Sequence, residues 1–233
     1  SYKIGVVGAG SWGTALTKLI ADKGFSPDLW VFESEVIEQI QTERENKVFL
    51  PGEKLPESIH PTNDLEKVVK NKDLVLVVVP SHHMRDMAGK MKPFVSDGTI
   101  VVTASKGIEN KTHMTMTQIL AEQIDQLPEE NFAVLSGPSF AKEVARKVPT
   151  VVTVASSHAE TAVMVQQTFV TDYFRVYTIE DVIGAELGAS VKNVIAIAAG
   201  VIDGLGLGLN TRAALITRGL VEIRRLGLAM GAN

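Results

Sequence analysis

The stretch "IGVVGAGSWGTALTKLIADKG", residues 4 to 24, leaves the backbone few options. Ile4, Val6 and Val7 suit an extended segment that is apolar on both faces, and from Trp12 onward apolar positions recur at helical spacing. Between them Gly8, Gly10 and Gly13 stand in a G-x-G-x-x-G pattern. Glycine at those places permits a turn too tight for a Cβ and lets a helix begin hard against the strand that feeds it. Strand, turn and helix in that order predict the first unit of a parallel sheet rather than a hairpin.

The alternation continues down the chain. "DLWVF", "LVLVVV", "TIVVTA", "FAVLSG" and "VVTVA" are short valine-rich runs, separated mostly by helical stretches such as "EVIEQIQTE" and "HMTMTQILAEQI". "YFRVYT", residues 173 to 178, reads as the last strand. The expected fold is α/β: a doubly wound, Rossmann-like, mostly parallel sheet with helices on both faces, followed by the start of an all-helical C-terminal domain. From Glu180 two long helical patterns follow without a strand, joined by the turn "DGLGLGLN". We therefore expect residues 1–180 to form one domain and 181–233 the first part of a second, incomplete because two helices cannot enclose a core.

Composition removes several classes of function. A net charge of −4 gives no footprint for nucleic acid. With no cysteine there is no disulfide, thiolate zinc site or cysteine nucleophile. His82 and His83 are sequence neighbours, which point apart on a helix, so no metal site is expected. The apolar run around residues 184–202 is interrupted by Glu186 and Asn193, with Asp203 following. It is too short for a membrane span of about 20 apolar residues, so no membrane insertion is expected. The chain opens directly on a strand pattern without a leader, which points to the cytoplasm.

A glycine turn of this kind lets backbone approach a pyrophosphate, and the first turn of the following helix offers unpaired N–H groups to the anion. This makes residues 1–180 the expected dinucleotide-binding domain. Glu33 follows the second strand, about 20 residues past Gly13, where an acid commonly holds a ribose diol; that favours NAD over NADP. Glu33 also stands where a helix begins and could simply cap it. Phe32 and Phe49 could flank the adenine, or Phe49 could belong to the core. "VTASKGIE" leaves Lys106 at a strand's carboxyl end, and "VLSGPSFAKEV" does the same for Gly137 and Ser139 in a second amide-rich turn. Lys192 is a cation in a helical seam of Ala185, Gly188, Ala189, Ala196 and Ala199. Small side chains there leave clearance for a ligand, or equally for another helix.

The stretches "GAGSWGTAL", "SKGIE", "LSGPSFAKEV", "ELGASVKNVIAIAAGVIDGLGLG" and "NTRAALITRGLVEI" resemble the NAD(P)-dependent glycerol-3-phosphate dehydrogenases of bacterial type, from the first strand to the last helix. The resemblance implies a cytoplasmic homodimer that uses NAD or NADP to interconvert dihydroxyacetone phosphate and sn-glycerol 3-phosphate, a small phosphorylated substrate, and so supplies glycerophospholipid synthesis. It places the proton donor and acceptor on Lys192, with Asn193 beside it toward substrate. It makes Lys106 common to cofactor and substrate, and gives Gly137 and Ser139 to the substrate. Gly8, Gly10, Ser11, Trp12, Gly13, Phe32, Phe49 and Ala141 fall to the cofactor.

The family's pattern continues beyond residue 233 with an acid, a hydroxyl and an arginine for the substrate. On that ground we expect these 233 residues to be a shortened form that binds cofactor but turns over weakly. Two other readings remain open at this stage: a β-hydroxyacid dehydrogenase, which shares the lysine–asparagine pair, and a dinucleotide-binding module without chemistry.

Overall fold

A computed structural model describes residues 2–233. Eight strands, β1 (Ile4–Val7), β2 (Asp28–Trp30), β3 (His60–Thr62), β4 (Leu74–Val77), β5 (Ile100–Thr103), β6 (Phe132–Ser136), β7 (Thr150–Ala155) and β8 (Phe174–Ile179), form one sheet. Their order is β3-β2-β1-β4-β5-β6-β7-β8. Every neighbouring pair is parallel except β6 with β7. The helices are α1 (Ser11–Asp22), α2 (Ser34–Glu43), α3 (Leu65–Val69), α4 (Met84–Met91), α5 (Met116–Gln123), α6 (Ala141–Ala145), α7 (Ala159–Phe169), α8 (Val182–Gly204) and α9 (Gly208–Ala229).

The valine-rich runs become central strands because both faces of the sheet are covered. Along β4, Leu74 and Leu76 join the apolar layer that includes Leu16 and Phe169, while Val75 and Val77 join the opposite layer with Met84 and Ile119. Alternate residues of a strand point to opposite faces, so a run apolar at every position is buried twice over. Each such side chain stabilises the fold by about 1.5–3 kcal/mol relative to exposure. β3 was not expected from the sequence: "HPT" is short and polar and contains Pro61. It lies at the sheet's edge, where a strand tolerates proline.

Gly8 has φ +115°, and a Cβ there would lie 2.2 Å from the Val78 carbonyl oxygen. A Cβ on Gly13 would lie 2.0 Å from the Gly8 carbonyl oxygen. These two glycines let α1 press onto the end of β1 and β1 onto the end of β4, which fixes the crevice at the carboxyl ends of the strands.

The last two helices pair with each other. A Cβ on Gly219 would meet Ile195 Cδ1 at 2.6 Å, so the helices approach closely there. Their connection is tighter than the sequence suggested, Leu205 to Leu207, because Asp203 and Gly204 complete α8 and Gly208 starts α9. Beyond Lys192 the hairpin leaves Val194, Ile197, Val201 and Leu220 exposed. The length argument against a membrane span also needs correcting, since α8 has 23 residues and is long and apolar enough to cross one. Its buried Glu186, hydrogen-bonded to Thr117 of α5, ties it instead to the α/β body.

Candidate active site

Helix α1 begins at the glycine turn with Gly10 as its N-cap, and its Thr14 N–H donates to the Gly10 carbonyl at 2.9 Å. The amides of the first turn before Thr14 have no partner inside the helix and point out of its end. A Cβ built on Gly10 meets nothing within 4 Å, so the space in front of the turn is open. That space belongs to a cavity of about 600 Å³ lined by Gly8, Ala9, Gly10, Phe32, Glu33, Phe49 and the loop after β4. An anion-binding turn, an open approach and two phenylalanines fit a dinucleotide. Phe32 is 76 % exposed and free to lie against a base. Phe49 lines the cavity and also packs on the core. Glu33 occupies the N-cap position of α2, but its side chain makes no capping hydrogen bond. Glu33 is among the residues that line the cavity.

At the neighbouring strand ends, Lys106 follows β5 and its Nζ donates to the Gly137 carbonyl oxygen, after β6, at 3.3 Å. Burial and then the nearby charge of Lys192 hold the Lys106 ammonium below the usual lysine pKa. Lys192 is half-buried and lines a second cavity of about 390 Å³ with Ser136, Gly137, Thr153, Ala185, Gly188 and Ala189. The small-residue seam thus opens onto space at Ala185, Gly188 and Ala189, whereas Ala196 and Ala199 lie outside that cavity. Gly137 has no room for a side chain, since a Cβ would sit 2.9 Å from Val152 Cα of β7.

Residues that the sequence reading missed brace both halves. Asn46 is fully buried; its Nδ2 donates to the Ala9 carbonyl at 2.9 Å and to Thr14 Oγ1 at 2.8 Å, and its Oδ1 accepts from the Phe49 N–H. One side chain therefore fixes the glycine turn, the start of α1 and the Phe49 loop. Ser105 Oγ donates to the Val79 carbonyl at 2.6 Å and accepts from the Val79 N–H, locking the ends of β4 and β5 together. Glu186 accepts from the Thr117 N–H at 2.9 Å and from its hydroxyl. Burial pushes the Glu186 carboxyl above the usual carboxylate range, against the opposing effect of the Thr117 hydrogen bonds.

Other expected residues lie nearby without lining these cavities. Ser11 is exposed at the first turn of α1, and Trp12 and Ala141 pack together with Ala15, Leu50 and Ala145. Ser139 Oγ approaches the Gly137 carbonyl at 3.4 Å, and Asn193 is exposed beside Lys192. Only five residues make up α6, so the second amide-rich turn is a brief one. His82 and His83 do not diverge as expected: in a 3₁₀ turn their ring centroids lie 4.1 Å apart. Among the described residues no group of three or more histidines and acids is placed to hold a metal.

The sequence pattern of one family fits in two parts, the NAD-dependent glycerol-3-phosphate dehydrogenase N-terminus over residues 3–162 and its C-terminus over residues 181–233. The glycerol-3-phosphate dehydrogenase [NAD(P)+] of Syntrophobacter fumaroxidans is 55% identical over 230 residues, covering 99% of this chain and 68% of that protein. The protein of the same name from Geobacter sulfurreducens is 51% identical and is covered to 70%. The crystal structure of glycerol-3-phosphate dehydrogenase from Coxiella burnetii superimposes with a TM-score of 0.91 at 39% identity, over 100% of this chain and 70% of that one.

Proposed function

The chain belongs to the NAD-dependent glycerol-3-phosphate dehydrogenase family, and from that membership we propose that it is an oxidoreductase interconverting dihydroxyacetone phosphate and sn-glycerol 3-phosphate with a nicotinamide dinucleotide. The observation that carries the reading is the pair of lysines at one crevice, Lys106 and Lys192, close enough that the charge of Lys192 helps to lower the pKa of Lys106.

When bound, the dihydronicotinamide supplies the hydride. Gly8, Gly10, Ser11, Trp12 and Gly13 would hold the pyrophosphate, Phe32, Phe49 and Ala141 would flank the rest of the dinucleotide, and Lys106 would reach both it and the substrate. Negative charge develops on the substrate's carbonyl oxygen during reduction, and the Lys192 ammonium stabilises it and gives it a proton from Nζ. The product is an alcohol and a neutral amine, which recovers a proton from solvent. In the reverse direction the neutral Lys192 amine takes the hydroxyl proton. Lys106 adds positive charge for the anionic substrate, with Gly137, Ser139 and Asn193 completing the contacts. Residues 1–180 serve the cofactor, and 181–233 bring Lys192 to it.

Glu33 makes NAD the preferred form. Its side chain makes no capping bond and Glu33 lines the cofactor cavity, where its carboxylate would accept a hydrogen bond from a ribose 2′-hydroxyl and would repel a 2′-phosphate. The same reading carries a cytoplasmic homodimer that supplies glycerophospholipid synthesis. The test is a titration of the protein with NADH and NADPH, then a rate comparison of dihydroxyacetone phosphate with 3-oxoacids. Tighter NADH binding and reduction confined to the phosphate substrate support the proposal; reduction of the 3-oxoacids in its place contradicts it.

A further inference from the structure

Ser190 links the turn that carries Lys106 to the helix that carries Lys192, and the chemistry above gives it no task. Its hydroxyl donates to the Glu186 carbonyl oxygen at 2.8 Å, one turn back along α8, and accepts from the Gly107 N–H at 3.0 Å. A serine hydroxyl has one proton and two lone pairs. With the proton committed to the helix, its lone pairs are fixed in direction, and one takes the Gly107 amide from 83 residues away in sequence. Gly107 follows Lys106 directly, and Ser190 precedes Lys192 by two positions.

The other side of that turn is held as well. Gly107 has φ +153°, and a Cβ on it would lie 2.5 Å from Ser81 Cβ in the turn after β4. The Lys106–Gly107 peptide is therefore gripped between Ser81 and Ser190. The charge of Lys192 acts on Lys106 across the gap between the turn and α8, so the two ammonium groups repel. The remaining hydrogen bonds from α8 to the α/β body go elsewhere: Glu186 to Thr117 of α5, and the Ala185 carbonyl to Ser136 Oγ of β6 at 3.4 Å. Among the described residues, Ser190 makes the hydrogen bond that holds α8 to the Lys106 turn against that repulsion.

We propose that Ser190 is a positioning residue, which locks the Lys106–Gly107 turn onto α8 and so sets the separation of the Lys106 and Lys192 ammonium groups across which the substrate anion binds. This rests on the reading that both lysines face one substrate. The protein is labelled with ¹³C at the lysine ε-carbon, and Lys106, assigned with Lys106→Arg, is titrated by NMR without cofactor or substrate. In Ser190→Ala its midpoint rises toward the value in Lys192→Ala, because the turn drifts from the second charge and into solvent. Ser190→Thr, which keeps the hydroxyl, titrates like the parent. Hydride-transfer rates follow the same order, with a loss of up to about a hundredfold in Ser190→Ala. If Lys106 titrates identically in the parent and in a folded Ser190→Ala protein, the proposal is overturned. A lowered thermal midpoint without that shift overturns it too, because the serine is then merely structural. If Lys192→Ala leaves Lys106 unmoved, the shared-crevice reading fails, independently of Ser190.

Discussion

The Lys106 ammonium lies 3.3 Å from the carbonyl oxygen of Gly137, so a side chain from the end of β5 bridges to the end of β6 across the mouth of the crevice. Burial and the charge of Lys192 lower its pKa. Its positive charge therefore disappears, as pH rises, before that of an ordinary lysine. We predict that the KM for dihydroxyacetone phosphate increases on the alkaline side at a pH below the usual lysine range. Lys106→Arg keeps its charge throughout and abolishes that limb, even if its different geometry raises KM overall. Profiles of KM against pH for the two proteins check this.

Asn46 holds the glycine turn through Ala9 and Thr14. Replacing it with leucine leaves the Ala9 carbonyl, the Thr14 hydroxyl and the Phe49 N–H without that partner. An unmet buried hydrogen bond costs about 1–3 kcal/mol. NADH affinity, followed by fluorescence titration, should fall at least tenfold, with a lowered unfolding midpoint.

Gly13 and Gly10 separate packing from binding. At Gly13 a Cβ collides with the Gly8 carbonyl, so Gly13→Ala forces α1 off β1 and destabilises the fold by about 1–3 kcal/mol or more. At Gly10 a Cβ meets no protein atom and the φ of −64° suits alanine. Gly10→Ala should keep its thermal midpoint and yet lose cofactor affinity, because its methyl occupies the approach to the turn. Calorimetry beside NADH titration distinguishes the two outcomes.

Much of this was legible in the sequence because it depends on local chemistry. The glycine spacing implied the turn, the valine runs implied strands buried on both faces, and Lys106 and Lys192 announced themselves as cations where none is needed for packing. The rest depends on who meets whom. β7 has the same valine-rich pattern whether it runs parallel or antiparallel to β6. Asn46 looks like any loop asparagine until the turn 37 residues away is placed beside it, and Glu186 meets Thr117 across 69 residues. β3 escaped because Pro61 argues against a strand everywhere except at an edge.

Glu186 titrates above the usual carboxylate range in the folded state, so the native protein holds that proton more tightly than the unfolded chain does. Its contribution to stability is complete below the ordinary glutamate pKa, about 4.3, and is lost as pH rises through the raised folded value. We predict that Glu186→Gln flattens this part of the stability profile. Glu186→Ala, which abandons the Thr117 N–H, costs about 1–3 kcal/mol. Urea unfolding at several pH values reads both.

The most direct measurement concerns Lys192. The rate of NADH oxidation by dihydroxyacetone phosphate is compared between the protein and Lys192→Ala, with NADH affinity measured in parallel. Loss of the proton donor should lower the rate by about 10²–10⁴-fold while the cofactor binds as before. An undiminished rate in Lys192→Ala would contradict the account.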